Sequence, residues 1–495
     1  MRSARSASAF LSCILLATLA AACGDDDAES RDASGDDDDD AAADATPPSS
    51  DGDVGADASL ADLLVRLNAI PGMTATEEVT DLEGYRFFFL GYDQPVDHDN
   101  PGGQRFSQRA TLLSRDEQGP MVLFTSGYNL STQGGRTEIT RLALANQLSV
   151  EHRYFAPSQP QDPTDWQYDT IEQAAADLHR LRVALDGIYG GPWVNTGGSK
   201  GGMTALFSRR FYPDDFTATV PYVAPISIAG PDSRYVDFVA QAGDDPDCNA
   251  ALLALQRRAL GRRDEMVALM ASMGAANGFT WDRLGIDKAF EHTIMESDFV
   301  FWQYGNASLC PTIPGADATA QEDFDLVEAT TGFENYDDDF IGYYEAYYYQ
   351  AGTQFGWPAN NEPAMGDLVV YPGTDEPASY GPIGATMTYD PLAMADILDW
   401  VATDGERLMF IYGENDPWSA GMVDLGDAQD SYRYVQPAGN HGSRILRLAS
   451  ADETAALAKL SEWMGVTLVP PSMIAPVSGP TAERDPRDDG PRRRW

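Results

Sequence analysis

A serine framed by glycines sets the terms for this chain. Trp193 to Thr196 favour an extended strand, Gly197-Gly198-Ser199-Lys200-Gly201-Gly202 follows, and Met203 to Phe207 are good helix formers. Strand, sharp turn and helix around a Gly-x-Ser-x-Gly core lift a serine hydroxyl above the end of a sheet. The serine takes a strained backbone, and the glycines let strand and helix approach without Cβ clashes. The backbone N–H of Lys200 then stands ready to hold an oxyanion. Two plainer readings compete: an incidental serine in a Gly-rich turn, or a phosphate-binding loop. The second needs its lysine after the last glycine, and Lys200 comes before it.

A nucleophilic serine needs an acid and a histidine downstream. The apolar run Arg407 to Gly413 leads into Gly413-Glu414-Asn415-Asp416-Pro417-Trp418, where Asp416 is the expected carboxylate and Glu414 the alternative. Asn440-His441-Gly442 stands before the closing helix. Of the five histidines, His98, His152 and His179 precede Ser199 and His292 lies in the middle of the chain, which leaves His441. The order Ser199, Asp416, His441 is that of α/β-hydrolases, and neither the chymotrypsin nor the subtilisin order. In that arrangement His441 takes the Ser199 proton and returns it to the leaving group, while Asp416 holds the imidazole tautomer. The second oxyanion donor is expected in the loop after Met121–Ser126, at the backbone N–H of Tyr128 or Asn129; the His-Gly-Gly-Gly signature of many lipases is absent there. No His, Cys, Asp and Glu cluster has zinc spacing, so neither a metal nor another cofactor is expected.

The rest of the pattern agrees with an α/β fold. Tyr85–Tyr92 and Phe106–Leu113 read as paired strands, Met121–Ser126 as a strand buried on both faces, and Ile171–Leu185 as a helix. Thr137–Leu148 reads as helix and Ser149–Phe155 as the next strand, and Ala218–Pro225 reads as one more. Strands alternating with helices make parallel units. From about 228 to 388 the chain turns helical and aromatic, including Asp247–Met273 and Tyr343–Gln350, before the α/β alternation returns at Asp390–Val401. That return marks 228–388 as a helical cap inserted between core segments 59–227 and 389–468, rather than a separate second domain. The aromatic group Tyr343–Tyr349 either packs the cap or lines a proline pocket. A polar, Pro- and Arg-rich tail, 469–495, follows.

Composition bounds the partners. The net charge of −44 argues against nucleic acid, whose phosphates would be repelled. Part of it is local, since Asp25 to Asp57 holds fourteen acids against the single base Arg31, a linker (23–58) too polar to fold. Ahead of it, Arg2 and Arg5 precede the apolar stretch Phe10–Ala22, which reads as a signal peptide over 1–22. Small residues Ala20-Ala21-Ala22 before Cys23 suit lipidation of that cysteine; plain cleavage and secretion is the alternative. Either way the chain is exported, and a lipid on Cys23 would be its membrane attachment. Cys248 and Cys310 then remain as an even pair, and a disulfide between them is expected.

The stretches Glu151–Phe155, Ile171–Leu178, Gly197–Thr204 and Asn440-His441-Gly442 together resemble the PS-10 peptidase family, over roughly 75–468. The same landmarks are similar to the prolyl carboxypeptidase and dipeptidyl peptidase II family, which has Tyr where Lys200 stands; Lys200 favours the former. The resemblance implies a secreted bacterial serine peptidase whose helical cap limits access to peptide termini. It places Ser199, Asp416 and His441 where the residues had already put them. Gln350–Gly356 is similar to a cap segment of the related family that carries Cys and Glu where Ala351 and Gln354 stand. Glu151 and Arg153, at the carboxyl end of a strand, either orient a peptide terminus or form a structural ion pair.

The expectation is therefore a serine exopeptidase that releases short peptides of three or four residues from peptide N-termini, after proline, through an acyl-enzyme. The alternatives are a carboxylic esterase or lipase on the same scaffold and a non-catalytic surface binding protein.

Overall fold

Nine strands form one sheet in a computed structural model that describes residues 63–161 and 165–474. The expected signal peptide, Cys23, the acidic linker and most of the C-terminal tail lie outside the described residues. The strands are β1 (Met73–Glu78), β2 (Arg86–Pro95), β3 (Arg105–Ser114), β4 (Met121–Thr125), β5 (Asn146–Val150), β6 (Trp193–Gly198), β7 (Ala218–Tyr222), β8 (Met409–Gly413) and β9 (Tyr432–Gln436). Their order is β1-β2-β3-β5-β4-β6-β7-β8-β9. The first three are antiparallel, as is β3 with β5, and β5 through β9 run parallel. The order reverses at β4, with β5 on one side and β6 on the other, and such a switch point opens a crevice at the strands' carboxyl ends.

Both faces of the parallel region are covered, so its strands read as continuous apolar runs. Helices α1 (Glu138–Ala143), α2 (Ile171–Leu185) and α3 (Lys200–Phe211) follow β4, β5 and β6. Met121, Leu123 and Trp193 pack towards Leu178, Leu181 and Leu185 of α2. Val122 and Val194, one residue along, pack on the other face against Ile139 and Leu142 of α1 and the closing helix. That period of two decides which face each side chain serves.

Between β7 and β8 the chain builds the cap. Its main helices are α4 (Arg234–Val239), α5 (Pro246–Gly261), α6 (Arg263–Asn277), α7 (Ile286–Tyr304), α8 (Ala320–Thr330), α9 (Asp338–Tyr343) and α10 (Glu345–Gln350). They enclose a core of their own, with Met266, Met270, Phe290, Phe324 and Phe333 buried together. Cys248 on α5 is bonded to Cys310 beyond the end of α7, with Cα atoms 5.3 Å apart. The helical stretch Asp247–Met273 is divided at Arg262, whose backbone leaves the helical region at φ −110°, ψ 30°. The chain then returns through α11 (Pro391–Asp404), β8, β9 and α12 (Ser450–Met464).

One boundary differs from the sequence reading. Helix α1 ends at Ala143, with Leu144 left-handed at φ 47°, and the strand begins at Asn146, so Glu151–Phe155 follow a strand instead of forming one. Asn146 and Gln147 fall within the helix expected over Thr137–Leu148, but both are buried in the strand and their side chains serve backbone. Asn146 Oδ1 accepts from Arg115 and Asp116 N–H at 2.7 and 3.0 Å, and Gln147 Oε1 accepts from Thr137 N–H at 2.8 Å.

Candidate active site

Ser199 sits between β6 and α3 with φ 54° and ψ −127°, a conformation a non-glycine residue holds only when its surroundings force it. The surroundings do so by close backbone approach. A Cβ on Gly201 would lie 2.2 Å from the Thr125 carbonyl oxygen, so α3 can start this near β4 only with glycine there. Ser199 N–H donates to Tyr222 O of β7 at 2.9 Å, and its side chain does not cap the helix that it begins. The hydroxyl is thereby left for the crevice, at the positive end of α3.

Asp416 and His441 meet as the sequence order requires. His441 Nδ1 is 2.7 Å from Asp416 Oδ2, with the aspartate fully buried and the imidazole 8% exposed. Asp416 Oδ1 accepts from Trp418 N–H at 3.2 Å, and its carboxylate caps the turn Pro417–Gly421. With Nδ1 committed to the carboxylate, Nε2 is the nitrogen available for proton transfer. Glu414, the alternative acid, instead accepts from Ala438 N–H at 2.6 Å.

The histidine loop is also held from the cap, by groups no local motif announces. His441 N–H donates to Gln303 O at 2.9 Å, and Asn440 Nδ2 donates to Tyr304 O and Gly305 O at 2.9 and 3.0 Å. Glu138 braces the segment just beyond: its carboxylate accepts from Tyr222 O–H and from Ile445 and Leu446 N–H, at 2.9, 3.1 and 3.2 Å. These partners lie far apart in the chain, so their roles had no sequence signal.

The loop after β4 lies against the elbow. A Cβ on Gly127, whose φ is +75°, would be 2.6 Å from Gly201 N. Within the loop, Tyr128 N–H donates to Ser126 Oγ at 3.0 Å, Ser126 O–H to Asn129 O at 2.6 Å, and His152 N–H to Tyr128 O at 2.9 Å. Of the two donors expected here, Tyr128 N–H is thus engaged within the loop, while Asn129 N–H has no acceptor among the described residues. The Lys200 N–H, in the first turn of α3, has no intrahelical acceptor either.

Ser199, Asn129, Lys200 and His441 line one cavity of about 1000 Å³ between sheet and cap. Its walls are aromatic: Tyr128, Phe299, Tyr344, Tyr347 and Phe355 line it, and the rings of Tyr304 and Trp418 lie 6.0 and 6.3 Å from that of His441. The Tyr343–Tyr349 run is divided between the cavity wall and packing. Tyr344, Tyr347 and Tyr348 face the cavity, while the Tyr349 ring packs on Trp166 at 5.7 Å. Acidic residues Glu296, Asp298, Asp375 and Glu376 come from the cap side. Burial pushes Asp298 up to about 6.

Glu151 and Arg153 do not line that cavity. Glu151 is fully buried, paired with Arg109, and accepts from Leu130 N–H at 2.9 Å and Ser158 O–H at 2.6 Å. Arg153 donates to both oxygens of Asp177 at 2.8 and 2.9 Å, and to the carbonyls of Val96 and Tyr168. Each has a structural ion pair of its own, Glu151 with Arg109 and Arg153 with Asp177, and neither is brought to the cavity as a substrate-terminus group would be. Gln354 is likewise structural: its Oε1 accepts from Ile171 N–H at 2.9 Å, tying the cap to the start of α2.

Lys200 is the buried cation nearest the serine, only 1% exposed. Burial pushes its amine down to about 7, against the opposing pull of Asp169. Asp169 is buried too, pushed up to about 8 by desolvation despite the charges of Lys200 and Arg153. His152 is held well below the ordinary imidazole range by burial and by the Lys200 charge.

With this geometry in place, comparison with known proteins is informative. The family model described as PS-10 peptidase S37 matches residues 56–491. The chain is 44% identical over 414 residues to the prolyl tri/tetrapeptidyl aminopeptidase of Streptomyces mobaraensis, covering 83% of this chain and 86% of that one. It is 27% identical over 175 residues to the lysosomal Pro-X carboxypeptidase of Mus musculus, covering 32% of this chain and 36% of the relative. The thymus-specific serine protease of Mus musculus is 29% identical over 181 residues, with the same two coverages, 32% and 36%.

Proposed function

The chain belongs to the PS-10 peptidase S37 family and is a serine peptidase, and we propose that it releases tri- and tetrapeptides ending in proline from free peptide N-termini. The observation that carries this is the aromatic-lined cavity that Ser199 and His441 share, with Asp416 hydrogen-bonded to His441 and carboxylates on the cap side. Ser199 Oγ attacks the scissile carbonyl carbon and its proton passes to His441 Nε2. The N–H groups of Lys200 and Asn129 receive the oxyanion. The C–N bond then breaks, with the proton going to the leaving amine, and water hydrolyses the acyl-enzyme through the same histidine.

Two features support the finer specificity. Proline offers a flat apolar ring and no N–H, which suits the ring walls of Tyr128, Tyr344, Tyr347 and Phe355 in the cavity that Ser199 lines. Helix α7 provides the length. Glu296 stands seven residues before Gln303, whose carbonyl holds His441. At 1.5 Å per helical residue that is about 10 Å, close to the span of three extended residues. A carboxylate there pairs with the terminal ammonium of a peptide whose third or fourth residue reaches Ser199. The test is hydrolysis of a free-amine peptide set against N-acetylated copies; equal cleavage of both would leave an endopeptidase.

We propose further that the protein is exported and anchored through a lipid on Cys23. The Cys248–Cys310 bond supports an oxidising destination. Mass spectrometry of the mature N-terminus tests it: an unmodified end beyond Ala22 would mean plain secretion.

A further inference from the structure

We infer that Lys200 is a positioning residue for the oxyanion hole, its side chain fastening the loop that carries one donor to the helix that carries the other. The inference rests on the reading of Ser199 as nucleophile. Lys200 supplies a backbone N–H at the start of α3, and its Nζ reaches across to donate to Gly127 O at 2.5 Å. Fixing that carbonyl fixes the plane of the peptide joining Gly127 to Tyr128. The Tyr128 N–H, at the other end of the same peptide, is then aimed at Ser126 Oγ, and the next amide, that of Asn129, is the one left facing the cavity.

The amine sits among three rings, 5.4 Å from the centre of Tyr128, 5.5 Å from Phe155 and 5.8 Å from Phe355. A charge buried in this way costs desolvation energy, and an apolar side chain of similar length would pack there without that cost. What the amine adds, in its ammonium form, is a charged donor to Gly127, which low dielectric strengthens. The titratable groups facing it are Asp169, His152 and Tyr128. Asp169 favours the ammonium form, and neither of its carboxyl oxygens has a hydrogen-bond partner among the described residues. As pH rises through about 7 the ammonium becomes a neutral amine, and the hold on Gly127 weakens.

The experiment compares wild type with Lys200→Met and Lys200→Gln on a proline-ending tripeptide anilide, together with the affinity of a tripeptidyl boronate, which forms an oxyanion-like adduct. The expected result for Lys200→Met is a kcat loss of about 100-fold, KM within about twofold, and a boronate affinity that falls with kcat. Lys200→Gln keeps a donor without the charge and should fall between. Wild type should show an alkaline decline of kcat near pH 7, and both variants should lose it. A folded Lys200→Met with wild-type kcat and boronate affinity would overturn the inference, and so would a loss confined to KM. Should neither Lys200 variant fold, the wild-type pH profile reads the same claim: kcat must decline as pH rises through about 7 while KM holds, and a kcat that does not decline there overturns it. Ser199→Ala separates the two readings. Activity in Ser199→Ala removes the nucleophile assignment, whereas a dead Ser199→Ala beside an unaffected Lys200→Met removes only the role of Lys200.

Discussion

The backbone N–H of His441 donates to the carbonyl of Gln303 at 2.9 Å, so the last turn of cap helix α7 holds the loop that carries His441, the base we propose. Cap and triad are therefore one mechanical unit, and disturbing the cap should cost rate as well as stability.

Asn440→Ala tests that link. It removes the donor to Tyr304 O and Gly305 O while leaving the imidazole and Asp416 in place. Two hydrogen bonds are worth about 1–3 kcal/mol together. The expected outcome is a kcat lower by about tenfold with KM nearly unchanged, read by steady-state kinetics; a change in KM alone would point to substrate contact instead.

The disulfide acts on the same end of α7. Cys248 and Cys310 are separated by 62 residues, a loop whose closure is worth about 4 kcal/mol in the chain-entropy account. The Cys248→Ser/Cys310→Ser double variant should melt several degrees lower by calorimetry and lose activity before it unfolds. Unchanged activity right up to the melting transition would show that the histidine loop does not depend on the bond.

Arg153 and Asp177 make a fully buried pair, and His98 also meets Asp177 at 2.7 Å. Burial alone would raise the Asp177 carboxyl, but the charge of Arg153 and the hydrogen bonds of His98 and Arg153 hold it below the ordinary range. A carboxyl depressed on folding contributes stability that is present above its unfolded pKa, about 4, and is lost as pH falls further. Asp177→Asn should therefore flatten the acid end of a denaturation series below about pH 4. It should also destabilise by about 3–5 kcal/mol at neutral pH, since Arg153 loses its partner charge. Altered peptide-length preference with normal stability would restore Arg153 as a substrate group.

Glu296→Gln tests the ruler along α7. Peptides with a free ammonium should lose kcat/KM by about 10- to 100-fold, the worth of a partly buried ion pair. Slow cleavage of N-acetylated peptides should stay as it was. An equal loss on both would make Glu296 a packing residue.

The site was legible where its chemistry is local. Ser199 announces itself through glycines that a backbone approach of 2.2 Å demands, and His441 through an Asn-His-Gly loop in the only position the chain order leaves. Misreadings arose where polar residues are buried. Asn146 and Gln147 read as part of a helix yet bond backbone at the start of β5, and Glu151 and Arg153 look available yet are paired in the core. Tyr128 and Asn129 were indistinguishable as donors because the choice depends on Ser126 Oγ and on Lys200, which reaches Gly127 from 73 residues away. Gln303 contributes a carbonyl, and no side-chain pattern marks a carbonyl.

The central claim is a serine nucleophile that opens peptides after proline near a free N-terminus. Its most direct measurement is mass spectrometry of a proline-containing peptide library incubated with wild type and with Ser199→Ala. The account predicts N-terminal fragments of three or four residues ending in proline from wild type and none from Ser199→Ala. Intact peptides beside rapid hydrolysis of simple aryl esters, or identical fragments from both proteins, would contradict it.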